Sequence, residues 1–153
     1  MLQALAVSPA AIDADFSSPP QLRPVSPQLV RQAAVDLVAS NQLSQAYVLV
    51  EDAVSQYPES QELVSMLALI AEARQDWPQA SVYLERLVRL QGNGVTAETL
   101  SHWVRVLRCQ GQIERASRLA SNALKMYPSH VMLESESQTL NSILVANAVQ
   151  AEA

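Results

Sequence analysis

The sequence is poor in the residues that carry catalysis, metal binding or nucleic-acid binding. Among 153 residues there are one cysteine, two histidines and three glycines, and ten Lys and Arg are outnumbered by fifteen Asp and Glu. The single cysteine, Cys109, excludes an internal disulfide framework and fits a reducing compartment. The net charge of -5 argues against nucleic acid or an anionic membrane surface, because phosphate binding requires clustered Lys and Arg.

Long apolar runs are also missing. No stretch approaches the roughly 20 apolar residues of a transmembrane helix, so no membrane insertion is expected. The apolar start, residues 1–7, has no positive charge and is interrupted by Pro9, so no secretion signal is predicted. A cytoplasmic protein is therefore expected.

Catalytic and metal-binding patterns are absent as well. His102 and Cys109 share a face of one predicted helix, but a rise of about 1.5 Å per residue separates them by roughly 10 Å, too far for a nucleophile pair. The sequence has no CxxC, HxxH or HExxH pattern. We expect neither enzyme activity, nor a cofactor, nor a metal site.

What the sequence does contain is a pattern that nearly repeats. Ala46, Ala80 and Ala116 lie 34 and 36 residues apart, and an apolar helical stretch follows each alanine. Aligning the three segments on these alanines brings other columns into register: Val50, Leu84 and Ala120; Ala53, Leu87 and Ala123; the turn residues Asn41, Gln75 and Gly111; and the second-helix starts Leu43, Trp77 and Ile113. Each segment is therefore predicted to be helix, tight turn, helix.

These columns resemble the tetratricopeptide repeat, at about 27–60, 61–96 and 97–130. The third repeat matches best, through Gly111 to Ala116 and Tyr127-Pro128, whereas the second has Leu87 and Gly92 in place of the usual small residue and proline. The resemblance implies an all-α, right-handed superhelical solenoid. The alternative, an ordinary antiparallel bundle, has no need of matching columns.

The flanking segments differ in composition from the repeats. Residues 1–25, with four prolines and scattered serines, are predicted to be a flexible tail before the repeats at 26–130. Residues 131–153 are predicted to be a capping helix and a short tail. The predicted helix-start residues are Ser26, Ser60, Asp76, Thr96 and Ser129.

In this fold the first helix of each repeat lines a concave groove. Helical periodicity buries Val30, Ala33, Ala34 and Leu37 of the first repeat and turns other positions into the groove. The candidate partner-binding residues are Arg31, Val35, Val38, Met66, Leu69, His102, Arg105 and Arg108. A peptide with aliphatic side chains and an acidic group would be complementary. Alternatively, the protein's own tail covers the apolar side chains and the arginines are solvated.

One known specificity of the family can be compared directly. Its members that bind the acidic C-terminal tails of heat-shock chaperones use a clamp of Lys, Arg and Asn on the same helix faces. The corresponding positions here are Arg31, Val35, Met66, Glu98 and His102. Only Arg31 fits the clamp, so that ligand is not expected.

Three functions remain open. The first is a non-catalytic adaptor or assembly factor that binds another protein. The second is a dedicated chaperone for a secretion or surface-assembly system, since small bacterial three-repeat chaperones have similar length and acidity. Those chaperones usually begin with a helical dimerisation segment, which the proline-rich tail cannot supply. The third is a non-catalytic part of a larger enzyme complex. A homodimer is also left open.

Overall fold

Seven α-helices make up the part of the chain that the structure describes. The structure is a computed structural model, and it describes residues 24–153. The helices are α1 (Pro27–Ala39), α2 (Leu43–Gln56), α3 (Gln61–Ala73), α4 (Trp77–Gln91), α5 (Ala97–Cys109), α6 (Ile113–Met126) and α7 (Val131–Ala151). A single 3-10 turn, Gly92–Gly94, joins α4 to α5. Except for its last two residues, the predicted flexible tail lies outside the described residues.

The helices form a solenoid of three helix-turn-helix repeats, as the sequence predicts. Helices α1 and α2, α3 and α4, and α5 and α6 pair within the repeats, and α7 packs on both α5 and α6. The second helices begin at Leu43, Trp77 and Ile113, the three residues expected. None of the helices between residues 24 and 153 is long and apolar enough to cross a membrane.

Four helices begin with a side-chain cap. Each cap oxygen accepts a hydrogen bond from the backbone N–H three residues on, which satisfies one of the free donors of the first turn. The capping residues are Ser26, Ser60, Asp76 and Thr96. The predicted start of α7 is wrong by one residue: Ser129 lies in a turn closed by a hydrogen bond from His130 N–H to Tyr127 O, and His130 is the N-cap.

The three turns inside the repeats have the same backbone geometry. Asn41, Gln75 and Gly111 have φ of 58°, 58° and 75°, in the left-handed region. In every turn the next residue donates a hydrogen bond to the carbonyl five residues earlier, as Asp76 N–H does to Ala71 O at 2.9 Å. This is the Schellman ending of a helix, in which glycine is the residue with the least strain.

The core is built on small residues where helices cross. Ala46, Ala80 and Ala116 are all 0% exposed. The buried residues form two clusters, one spanning α1 to α4 with Val106 of α5 and one spanning the segment from Val95 to α7, and Trp103 packs against both. The expectation that Ala33 is buried is wrong, because no helix precedes α1 in the described chain and that side of α1 is exposed.

Replacing Ala80 or Ala116 with Leu should lower the free energy of unfolding by about 1–3 kcal/mol, because the added atoms overpack a helix crossing. The measurement is denaturant unfolding followed by circular dichroism. Ala33→Leu, on the exposed side of α1, is the matched control and should change stability by less than about 0.5 kcal/mol. An equal loss of stability in all three variants would contradict the claim that Ala80 and Ala116 lie at close helix crossings.

Exchanging the turn residues of the second and third repeats should shift stability in opposite directions. Gln75→Gly should raise the melting temperature, because it relieves a left-handed conformation that costs non-glycine residues roughly 1–2 kcal/mol. Gly111→Gln should lower it by strain alone, since a Cβ at Gly111 would meet no atom within 4 Å. Melting temperatures that move in the same direction would exclude this explanation.

Candidate functional site: the concave groove

The first helices of the repeats, α1, α3 and α5, lie side by side and α7 continues their row. Contacts between α1 and α3 and between α5 and α7 record this order, and cavities open between neighbouring helices of the row. The groove along the row is the candidate site. Its side chains are the ones that helical periodicity leaves out of the core.

An apolar cavity lies between α1 and α3. It has a volume of about 330 Å³, and its lining consists of Ala34, Val35, Val38, Ala39, Met66, Leu69, Ile70 and Ala73. Val35, Val38 and Leu69 are each between 40% and 50% exposed. Side chains of this kind, clustered and open to solvent, are typical of a surface that another apolar group covers.

A second, acidic cavity lies between α3 and α5 and reaches down to α4. Its volume is about 260 Å³, and it is lined by Ser65, Ala68, Leu69, Glu72, Leu84, Leu87, Gln91, Thr96, Glu98, Thr99 and His102. Leu69 lines both cavities, so the two adjoin along the groove. The apolar cavity therefore passes directly into one that carries two carboxylates.

Glu72 and His102 form an ion pair at the side of the acidic cavity. The Nδ1 atom of His102 lies 3.0 Å from Oε1 and 3.2 Å from Oε2 of Glu72. The hydrogen bond to Glu72 raises the pKa of His102 above its usual value of 6.5, partial burial opposes the rise, and the charge of Glu72 adds to it. Glu72 is only 8% exposed, so water competes little with His102 for its carboxylate.

Two of the three candidate arginines are also paired across neighbouring helices. Arg31 Nε lies 3.1 Å from Glu62 on α3, in an exposed pair. Arg108 makes two hydrogen bonds to Glu136 on α7, at 2.8 Å and 3.2 Å, and both side chains are largely covered. Arg105 is exposed and forms no ion pair within residues 24–153.

The structure thus divides the candidate residues into three groups. Val35, Val38, Met66 and Leu69 converge on the apolar cavity. His102 lines the acidic cavity. The arginines are distributed along the row, and Arg105 alone of them has no acidic partner in the described chain.

Sequence reasoning missed Glu136 and the pairing of Glu72. Helical periodicity turns Glu72 toward the groove, where the structure places it, but Glu72 was not among the candidate partner-binding residues, and Glu136 on α7 was not considered. A signal for Glu136 did exist, since it is the sixth residue of α7 as His102 is the sixth of α5. Treating α7 as a further groove helix would have found it. Across residues 24–153, no three His, Cys, Asp or Glu side chains converge so as to hold a metal ion.

By sequence, the chain matches no protein-family model and no curated protein. By structure, it is similar to several solved proteins. The first tetratricopeptide domain of human RPAP3 aligns with a TM-score of 0.70 at 12% identity, covering 81% of this chain and 96% of that chain. The first such domain of Spaghetti (RPAP3), bound to the HSP90 peptide SRMEEVD, gives 0.69 at 12% identity, covering 77% and 92%.

An O-GlcNAc transferase mutant from Thermobaculum terrenum gives a TM-score of 0.62 at 19% identity, covering 74% of this chain and 21% of that chain. The helix pairs and the groove define a helical-repeat solenoid. The similarity to the RPAP3 domains, together with the matching columns, shows that its fold is that of the tetratricopeptide repeat.

The stability of the protein should fall as the pH rises through the range from about 6 to 8, where histidine titrates. The pKa of His102 is raised in the folded state, so its contribution is fully present below the unfolded value of 6.5 and is lost above the folded value. Urea unfolding measured across this range should show the fall in the free energy of unfolding. In His102→Gln most of this dependence on pH should disappear.

His130→Gln is the matched control, because it removes the other histidine and leaves the pair of His102 and Glu72 intact. It should keep the dependence on pH. Parallel pH curves for the parent protein and for His102→Gln would show that the ion pair does not contribute.

Proposed function

We propose that this protein is a non-catalytic interaction module, an adaptor or assembly factor that binds a segment of another protein in its concave groove. The observation that carries the proposal is the apolar cavity between α1 and α3, which keeps Val35, Val38 and Leu69 partly exposed. Covering these side chains removes apolar surface from water, at about 25 cal/mol per Å². The ligand is therefore expected to offer aliphatic side chains.

The shape of the groove supports a peptide segment as the ligand. Two adjoining cavities between neighbouring helices of the row suit an extended or helical chain that places side chains in each. A domain of the same fold is bound to a peptide, SRMEEVD of HSP90. We do not extend the acidic character of that peptide to the ligand of this protein, because Glu72 and Glu98 line one of the two cavities of this groove.

The remaining candidate residues, the arginines and His102, would contribute polar contacts or structural support beside the apolar cavity. Arg105 is the arginine whose charge is open to an acidic group of the ligand, and exposed charges of this kind act mainly on the rate of association. Arg31 and Arg108 would contribute mainly by holding neighbouring helices in place, through Glu62 and Glu136. His102 would contact the ligand at the acidic cavity.

The test is to select binding peptides from a random library against the full chain and to measure them against variants. Leu69→Asp should weaken the selected peptides by at least about tenfold, since burying a leucine side chain contributes roughly 1.5–3 kcal/mol and a buried charge opposes binding. Val48→Asp is the matched control, because Val48 is 63% exposed on α2 and does not line the cavity.

Val48→Asp should leave affinity unchanged. Both variants must first melt like the parent protein. If the selected peptides bind Leu69→Asp as tightly as the parent, the apolar cavity is not the binding site and the proposal is overturned.

A further inference from the structure

The acidic cavity holds a buried carboxylate whose hydrogen bonding is incomplete. Glu72 is 8% exposed, and its Oε1 atom, although 3.0 Å from His102 Nδ1, accepts no hydrogen bond with acceptable geometry within the described residues. The single hydrogen bond that reaches the carboxylate runs between His102 Nδ1 and Oε2. A carboxylate can accept about four hydrogen bonds, and leaving a buried one short of donors is costly.

Glu98 adds a second negative charge at the mouth of the same cavity. Its carboxylate is 75% exposed, and its nearest basic neighbour in the described chain is His130, at 3.8 Å. The cavity has no arginine or lysine in its lining. Two carboxylates therefore face a space of about 260 Å³ in which one histidine is the basic side chain.

We propose that the acidic cavity receives an arginine side chain of the partner segment whose aliphatic side chains occupy the apolar cavity. The proposal rests on the proposed function and specifies its ligand. A guanidinium group brings five N–H donors in a fixed fork, so it can donate to the Glu72 carboxylate and to a second acceptor at once. Glu98 supplies a second carboxylate, and the Gln91 amide oxygen, which accepts one hydrogen bond from Thr96 N–H, has a second lone pair. Several acceptors suit the forked donors of a guanidinium better than the single point charge of an ammonium group.

The walls of the cavity match the rest of an arginine side chain. Leu69, Leu84 and Leu87 form an apolar lining under the polar rim. The three methylene groups of arginine pack against such a surface while the charged head stays with the polar groups. A divalent metal fits less well, since no three ligating side chains converge in the described chain.

The position of Leu69 connects the two parts of the ligand. Because this residue lines both cavities, an aliphatic side chain in one and an arginine in the other would lie on either side of Leu69. A peptide can supply both from residues close together in its sequence. The net charge of -5 favours the approach of a basic segment.

The test titrates the full-length protein with Nα-acetyl-arginine methylamide and follows backbone amides by NMR. Amides of Ser65, Leu69, Thr99 and His102 should shift in a saturable way. Nα-acetyl-citrulline methylamide is the matched control, since it has nearly the same shape and no charge. It should cause no saturable shift. Equal responses to the two compounds, or no shift at these residues, would overturn the proposal.

Variants assign the effect to the cavity. Glu72→Gln should weaken the arginine compound by about tenfold, the size of one charged hydrogen bond. Glu98→Gln should weaken binding of the arginine compound by about threefold, as expected for an exposed charge. Because Glu98 is exposed, this substitution leaves the core packing intact. Glu62→Gln, on the same helix as Glu72 but paired with Arg31 outside the cavity, is the control and should bind like the parent. Unchanged binding in Glu72→Gln and Glu98→Gln together would overturn the proposal.

The same variants separate this inference from the proposed function. If selected peptides lose affinity for Leu69→Asp but bind Glu72→Gln and Glu98→Gln like the parent, the groove binds peptides and the arginine site is wrong. If the arginine compound binds as expected and selected peptides ignore Leu69→Asp, the arginine site stands as a local site and the groove function fails.

Discussion

Close packing of helices at three fully buried alanines is the constraint on which the rest of the structure depends. Ala46, Ala80 and Ala116 lie where the second helix of each repeat crosses the first. Helices approach to about 8–10 Å only where the side chains between them are small. Because each second helix lies directly behind its first helix, α1, α3 and α5 share one face of the solenoid. Val35, Val38 and Leu69 of the groove lie outside the core clusters, so their chemistry is free to serve binding.

The same two positions along the helix connect each groove helix to the next, but the chemistry of the residues there differs at each of the three junctions. The twelfth residue of each groove helix meets the sixth residue of the next. Between α1 and α3 these residues are Val38 and Met66, which line the apolar cavity. Between α3 and α5 they are Glu72 and His102, and between α5 and α7 they are Arg108 and Glu136. The same two positions thus carry two apolar side chains of one cavity, then a pair that includes a titratable histidine, and then an ion pair of Arg and Glu.

The local features of the fold could be predicted from the sequence, and the pairings in the groove could not. Turn and cap residues act within a few positions of the chain, so the starts at Leu43, Trp77 and Ile113 follow from the aligned columns. Convergence of Val35 and Leu69 also follows from helical periodicity. The partner of Glu72 depends instead on how α3 and α5 are rotated against each other, and that rotation is set by packing between distant residues.

The three pairs also differ in how much exposed apolar surface and how many free hydrogen-bond acceptors they leave. Arg108 donates two hydrogen bonds to the Glu136 carboxylate, so each charged group has its partner within the pair. Val38 and Met66 need no partner for hydrogen bonding, but each keeps apolar surface in contact with water, which favours covering by another chain. Glu72 and His102 lie between these extremes, because one hydrogen bond meets a buried carboxylate that can accept several. A ligand over α1, α3 and the near side of α5 would therefore cover exposed apolar surface and add hydrogen bonds to a buried carboxylate. A ligand over the junction of α5 and α7 would find an ion pair that is already complete.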